Sequence, residues 1–249
     1  MLSIVIPALN EAANLERLLP ELARTCPDAE VIVADGGSVD ETADVVRRFP
    51  SVTLIVAERG RAQQMNAGAR IAAGSALLFL HADTTLPPGA QEAIQGALRP
   101  PGVVGGRFDV RFDNPRPIFK LIATMMNMRS RLSEICTGDQ ALFVRRSTYD
   151  ALGGYRNIPL MEDIDLSRRL KRQGRVACLR LRVITSARKW EREGVLRTIA
   201  LMWTLRLLYH VGVHPARLHR SYYGGRADGS PGAPRLADSG DPRQSAGTP

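Results

Sequence analysis

Leu77-Leu78-Phe79-Leu80-His81-Ala82-Asp83-Thr84-Thr85 is the stretch on which the reading of this chain turns. Four large apolar residues run into His81-Ala82-Asp83, and Pro87-Pro88-Gly89 close the segment. A short apolar run bounded in this way predicts a buried strand of a parallel sheet. A carboxylate just past such a strand lies at the sheet's carboxyl edge, where open α/β sheets bind ligands. With a histidine beside it, Asp83 is a candidate metal ligand. Taken alone, a strand end with a turn-favouring Asp explains the stretch more simply.

Upstream the pattern repeats. Ser3–Pro7 reads as a first strand closed by Pro7, followed by the turn Ala8-Leu9-Asn10-Glu11. A helix to about Arg24 would place Leu15, Leu18, Leu19 and Leu22 on one face. Glu30–Ala34 is a second strand ending at Asp35, and Gly36-Gly37 make a tight turn. Ser38-x-x-Glu41 has the form of a capping box and predicts a helix through about Phe49. Val52–Val56 is a third strand, and a loop at Glu58–Arg61 leads into a helix over Ala62–Ala73. This alternation predicts a doubly wound α/β domain. The first β–α turn lacks the glycines of a dinucleotide fold, and no P-loop sequence occurs.

Downstream, Ala90–Leu98 reads as a helix and Val103–Phe112 as a strand with a Gly105-Gly106 bulge. Pro117–Arg131 is a Met-rich helix (Ile118, Leu121, Ile122, Met125, Met126, Met128), expected to be mainly core. Its basic flanks, Arg116, Lys120, Arg129 and Arg131, also suit a greasy substrate or a membrane surface. A polar turn, Thr137–Gln140, precedes a strand at Ala141–Val144. Met161–Gln173 is a helix whose first turn carries Glu162, Asp163 and Asp165, acids that a helix dipole alone would explain. Gly194–His210 is a second apolar helix with cationic ends.

Charge and cysteine usage bound the class. The 249 residues carry 34 Lys and Arg against 25 acids, a formal net charge of +9, which favours an anionic partner. The excess is a patch: residues 168–220 hold 14 Lys and Arg against Glu191 and Glu193. Only 5% of residues are aromatic and no nucleic-acid module appears, so nucleic acid is not expected as the partner. Three scattered cysteines, Cys26, Cys136 and Cys178, read as reduced thiols of a cytoplasmic protein. The first apolar run lacks a basic flank, so no leader is expected, and no run is long enough to span a bilayer. A single domain is expected over 1–222, with a nucleotide-binding half (1–100), an acceptor half (101–190) and a basic helical segment (191–222). Residues 223–249, rich in Gly, Pro, Ser, Asp and Arg, read as a disordered tail.

Four motifs then stand in a telling order: Ile-Val-Ile-Pro-Ala-Leu-Asn-Glu (4–11), Val-Ala-Asp-Gly-Gly-Ser-x-Asp-x-Thr (33–42), Leu-Phe-Leu-His-Ala-Asp-Thr (78–84) and Glu-Asp-Ile-Asp-Leu (162–166). Over roughly residues 1–190 the chain resembles a family-2 glycosyltransferase with the GT-A fold. Arg59-Gly60-Arg61-Ala62-Gln63-Gln64-Met65-Asn66-Ala67-Gly68 resembles a small bacterial branch that includes carotenoid-acid (diaponeurosporenoate) glycosyltransferase-like and selenium/radical-SAM-associated proteins. The resemblance implies a GT-A-type mixed sheet flanked by helices, and inverting transfer of a sugar from a nucleotide-diphosphate sugar, UDP-linked by preference. It implies an apolar or lipid-like acceptor, a carotenoid acid among the candidates.

The resemblance also implies roles for particular residues. Pro7, Ala8, Asn10, Glu11 and Asp35 would hold the nucleotide, Ser38 being assigned to the cap. Arg61, at a helix start, would meet the diphosphate. Ala82 and Asp83 belong to the donor and metal element, where Mn²⁺ or Mg²⁺ would bind Asp83. His81 stands where that element usually has its first acid, and is either a second ligand or a hydrogen-bonding neighbour. Asp163 would be the catalytic base and Glu162 the fallback, only one of the two facing the sugar. Gly138, Asp139 and Gln140 would underlie the donor sugar and acceptor. Arg188, Lys189 and Trp190 would form a loop over the diphosphate. Two other readings are weighed: a nucleotidyltransferase, disfavoured because the first loop carries no cation, and a non-enzymatic protein that binds membrane or nucleic acid. The basic segment suggests peripheral attachment to an anionic membrane face, cytoplasmic in location.

Overall fold

A computed structural model describes residues 1–223, so the tail reading lies outside the described residues beyond Tyr223. Eight strands form one mixed sheet in the order β3-β2-β1-β4-β7-β6-β8-β5. Four strands, β1 (Leu2–Ala8), β2 (Glu30–Asp35), β3 (Val52–Val56) and β4 (Ala76–Phe79), run parallel. Next to β4, β7 (Leu142–Arg145) and then β6 (Val103–Phe112) add antiparallel pairings, and β8 (Arg175–Thr185) runs parallel to β6. Register shifts in the β6–β8 pairing bracket Gly105, where the sequence predicted a bulge. The two-residue β5 (Thr84–Thr85) pairs with the end of β8 and so carries the segment after Asp83 to the far edge.

The β–α repeat folds as the periodicity dictates. Helix α1 (Ala12–Thr25) buries Leu15, Leu18, Leu19 and Leu22 against the first strands. Pro7 is accommodated inside β1 because pairing with β4 ends at Val5, whose carbonyl accepts Leu80 N–H at 3.0 Å. Side chains and backbone groups two residues apart point the same way, so Pro7 lacks its donor on a side already vacated.

Helix α3 (Arg61–Ile71) explains the Arg-Ala-Gln-Gln-Met-Asn-Ala-Gly run. Gln64 Nε2 donates to Ala8 O at 2.6 Å and Ala34 O at 2.8 Å, tying together the carboxyl ends of β1 and β2. Asn66 accepts from Tyr149 Oη at 2.6 Å and Tyr155 N at 2.9 Å. At Gly68 a Cβ would lie 2.4 Å from Val5 Cγ1, so only glycine permits this approach of helix to strand.

Several expectations are corrected. Ser38 does not cap a helix: α2 (Thr42–Arg47) starts later, and Ser38 Oγ donates to Asp35 while accepting Asn10 N–H at 2.8 Å. Asp40 accepts Thr42 N–H at 3.0 Å instead. The Met-rich helix, α5 (Pro117–Ser133), is only half core: Phe119, Ile122 and Met126 are buried, but Leu121, Met125, Met128 and Leu132 are exposed. Residues 188–190 are not a loop but open α8 (Arg188–Glu193). The short helix α6 (Arg146–Ala151) and strand β8 had no counterpart in the sequence reading, and the terminal helix, α10 (Pro215–Tyr223), falls at the end of the basic segment read as helical. The remaining helices, α4 (Ala90–Leu98), α7 (Glu162–Lys171) and α9 (Val195–His210), lie close to their expected bounds. No helix among the described residues is long and apolar enough to cross a membrane. All three cysteines are free thiols.

Candidate active site

The carboxyl ends of β1 and β2 carry two loops that brace each other. Glu11 N–H donates to Thr42 Oγ1 at 2.8 Å, Ala12 N–H to Asp40 at 3.2 Å and Val39 N–H to Asn10 Oδ1 at 2.9 Å. Asn10 holds the left-handed region at φ 57°, which Asn tolerates. Asp35 is buried, and its carboxylate accepts Ser38 N–H at 3.2 Å as well as the Ser38 hydroxyl. Pro7, Ala8, Asn10, Glu11 and Asp35 are thereby gathered on one edge of the sheet. Burial raises the Glu11 carboxyl, with Asn14 pulling against it. The charges of Asp83, Arg188 and His81 also reach it, which sets Glu11 beside the next group of residues.

That group surrounds a cavity of about 160 Å³. On its wall stand Arg61 from the start of α3, His81 and Asp83 beyond β4, and Gly138 and Asp139 from a single 3-10 turn. Asp163 closes it from the first turn of α7, and Lys189 and Trp190 from α8. The β5–β8 pairing, with the Thr84 and Thr185 hydroxyls 3.2 Å apart, brings α8 over Asp83. Ala82, Gln140, Glu162 and Arg188 are not on the cavity wall.

Each of those four has a structural partner or place. Gln140 forms a capping box with Thr137, shaping the turn that holds Asp139. Ala82 is buried in the core. Arg188 turns to Asn14 Oδ1 of α1 at 2.9 Å. Glu162, 2% exposed, meets Arg61 Nε at 2.8 Å. Glu162 and Asp163 therefore diverge as adjacent helical residues must. Asp163 faces the cavity, with Oδ2 accepting Gly138 N–H at 2.8 Å and Oδ1 accepting Ile164 N–H at 2.7 Å. Burial raises the Glu162 carboxyl, Arg61 opposing it.

His81 and Asp139 are coupled, Nδ1 to Oδ1 at 3.4 Å. Burial alone would lower the imidazole, but the hydrogen bond and charge of Asp139 leave it raised. Burial would likewise raise Asp139, and His81 holds it below the usual carboxylate range. The opposite edge of the ring lies against Gly138, where a Cβ would be 2.4 Å from Nε2. Asp83 is left with one long hydrogen bond, from Thr84 Oγ1 at 3.4 Å, and burial raises it despite His81. A half-buried carboxylate so weakly served suits a divalent cation. No group of three His, Cys, Asp or Glu among the described residues forms a ready cage. A cation here would therefore need oxygens from its ligand.

The profile of glycosyl transferase family 2 matches residues 3–153. The chain belongs to glycosyl transferase family 2. A PGL/p-HBAD biosynthesis glycosyltransferase of Mycobacterium tuberculosis is 35% identical over 175 residues, which are 62% of this chain and 63% of that protein. The family-2 chain thus spans just under two thirds of the length of that relative. Validoxylamine A glucosyltransferase of Streptomyces hygroscopicus is 35% identical over 130 residues, 47% of this chain and 31% of that one. Among solved structures, a mannosyltransferase from Pyrobaculum calidifontis in complex with GDP-Man and Mn²⁺ superposes with TM-score 0.62 at 20% identity, over 92% of this chain and 66% of that one. S. aureus TarS in complex with UDP superposes with TM-score 0.62 at 16% identity, over 74% and 60%. These likenesses agree with the GT-A-type α/β fold expected from the motifs. They lend nothing to the nucleotidyltransferase or non-enzymatic readings.

Sequence reasoning missed part of the site. Phe112, Thr185, Ser186, Thr198, Met202 and Arg206 also line the cavity, from β6, the end of β8 and α9. No motif marks them. The available signals were Thr198 and Arg206, two of the few polar residues in a largely apolar helix.

Proposed function

We propose that this protein is an inverting glycosyltransferase that takes a sugar from a nucleotide-diphosphate sugar, UDP-linked by preference, and passes it to an apolar or lipid-like acceptor. The observation that carries this reading is that Asp83, from the middle of the family-2 segment, and Asp163, from just beyond it, face one cavity at the carboxyl edge of the sheet. S. aureus TarS in complex with UDP and the Pyrobaculum calidifontis enzyme in complex with GDP-Man share this fold, which supports the nucleotide-sugar class.

In this proposal the braced loops at Pro7–Glu11 and Asp35 hold the base and ribose, Asp35 accepting from an N–H or hydroxyl. Arg61 and Lys189 meet the diphosphate, and Arg188 anchors α8 to α1 so that Lys189 and Trp190 stay over it. Asp83 is the protein's metal ligand. Mn²⁺ or Mg²⁺ held there would neutralise the leaving diphosphate. His81 serves to fix Asp139, and Gly138–Gln140 form the floor under the donor sugar. Asp163 removes the proton from the acceptor as its oxygen attacks the anomeric carbon opposite the departing diphosphate. Two backbone donors fix the orientation of its oxygens. With a carboxylate acceptor, such as a carotenoid acid, that proton is already gone and Asp163 positions the nucleophile. Glu162 supports Arg61 from behind.

The domain proposal stays with one unit over 1–222, a nucleotide half, an acceptor half and a basic helical segment, working in the cytoplasm at the inner membrane face. A panel of UDP- and GDP-sugars, each with and without Mn²⁺, tests the reaction through nucleotide release. Release that depends on a sugar donor supports it. No release with any donor, together with no calorimetric binding of UDP, sinks it.

A further inference from the structure

Beside the reaction cavity lies a second, mostly apolar cavity of about 290 Å³, between the end of α5 and α9. Trp203, Leu207 and Tyr209 contribute its apolar wall. Thr137, Ile164 and Arg206 line both cavities, so the two are contiguous. Along α5, which gives Arg129 and Ser133 to the cavity wall, exposed Leu121, Met125, Met128 and Leu132 repeat at helical spacing. Arg129 sits within that stripe and reaches the second cavity.

Arg129 and Arg206 are unlike the other buried arginines of this chain. Arg107 is wholly buried and its Nε has no partner, but it pairs with Asp109 and donates to Phe108 O and Asn127 O through its other nitrogens. Arg145 donates to the carbonyls of Val103, Leu98 and Pro100. In contrast, Arg129 Nη2 is buried with no hydrogen-bond partner among the described residues. Burial, and then the charge of Arg206, bring the Arg129 guanidinium down to about 10. Burial lowers Arg206 as well, against the pull of Asp163 and Asp139. Arg168 on the same wall is already engaged, stacked 5.1 Å from the Tyr209 ring and 3.1 Å from His210 Nδ1. Two neighbouring guanidiniums on one cavity wall, one of them with a buried N–H left without a partner, form a receptor for an oxyanion, the group their planar forks bind best.

We propose that this groove is the acceptor site, and that the acceptor is an amphiphilic oxyanion. Its carboxylate or phosphate lies between Arg129 and Arg206, at the junction with the reaction cavity. Its apolar stem runs past Trp203 and Leu207 onto the exposed stripe of α5. This rests on the glycosyltransferase reading for the word acceptor, but the site itself can be tested without a sugar donor.

The probe is 11-(dansylamino)undecanoate, whose fluorescence reports entry into an apolar site. It is displaced in turn by decanoate, decyl phosphate, 1-decanol and inorganic phosphate. Both amphiphilic anions are expected to displace it about tenfold more tightly than decanol, the worth of one charge-assisted hydrogen bond. The stronger of the two identifies the anion, and inorganic phosphate alone is expected to have no effect. Arg129→Gln is expected to weaken both anions about tenfold, to leave decanol unchanged, and to retain wild-type UDP affinity in calorimetry. Arg129→Lys keeps a charge and is expected to fall between. Equal displacement by decanol and decanoate, displacement by phosphate alone, or unchanged anion affinity in Arg129→Gln overturns the inference. So does absence of probe binding, and if anionic vesicles then float the protein, the surface is a membrane patch instead. Any of these with UDP binding intact leaves the glycosyltransferase reading standing, and that reading falls only if the wild type neither binds UDP nor releases nucleotide from any donor.

Discussion

Replacing Arg61 by Met keeps the apolar stem and deletes the guanidinium. Glu162 then loses its ion-pair partner at 2.8 Å, with a side chain 3% exposed and Oε2 already without a hydrogen bond. Breaking a fully buried pair costs about 3–5 kcal/mol. The Arg61 side chain is 45% exposed, so much of the pair is screened, and about 2 kcal/mol is the expected loss. For a chain of this length that lowers Tm by roughly 4–8 °C.

The loss is pH-dependent with a defined sign. Burial already raises Glu162 in the fold, and removing Arg61, the main opposing influence, raises it further. A carboxyl raised in the folded state binds its proton more tightly there than in the unfolded chain. Stability of the variant therefore falls as pH rises from the unfolded carboxyl value, 4.5, through the folded one, and the deficit is complete above it. The Tm difference from wild type is expected to be small near pH 5 and full near pH 8. Arg61→Met with Glu162→Gln removes the buried charge and is expected to recover most of the deficit. Thermal unfolding by circular dichroism at the two pH values measures this. An equal deficit at both, or no recovery in the double variant, refutes the account of Glu162 as a buried charge held by Arg61.

Asp163→Asn is expected to keep UDP affinity and lose turnover by 10²–10⁴-fold, roughly the worth of a general base; full turnover would end its assignment as the base. Asp83→Ala is expected to bind UDP equally with and without Mn²⁺, whereas calorimetry on the wild type should show Mn²⁺ tightening it. Gly138→Ala forces the His81 ring to retreat by about 1 Å, since an added Cβ would sit 2.4 Å from it. Turnover should fall at least about tenfold with little change in Tm, and wild-type turnover would show that the ring position is immaterial. Burial pushes the Cys136 thiol up to about 12, so near pH 8 only about one part in ten thousand is thiolate. In native protein Cys178, half-buried, should be alkylated before Cys136, and mass spectrometry showing the reverse would contradict the packing around Cys136.

Much of the first half was legible because it is local. Strands β1 to β4 and helices α1 and α3 follow from apolar periodicity, and Asp35 and Asp83 fall at strand ends by counting. The role of Ser38 was misread because a capping box and a loop brace share one sequence pattern. Only the fold puts Asn10 N–H above the Ser38 hydroxyl, 28 residues away. The Met-rich helix was half misread for a related reason. Periodicity gives a stripe, but its partner decides burial, and α5 puts Phe119, Ile122, Ala123 and Met126 into the core while Leu121, Met125 and Met128 stay exposed.

Composition, periodicity and motif order by themselves determined the α/β class, the family resemblance and the candidate carboxylates. Tertiary structure decided which of Glu162 and Asp163 faces the cavity, that His81 is committed to Asp139, and that α9 is a wall of the site. It also set Arg129 next to Arg206, 77 residues later in the chain. The division has one physical cause. Backbone propensity and alternation act over a few residues and are written in the sequence, whereas a site is made by strand pairings such as Thr84 with Thr185, whose partners are chosen by the packing of the whole sheet.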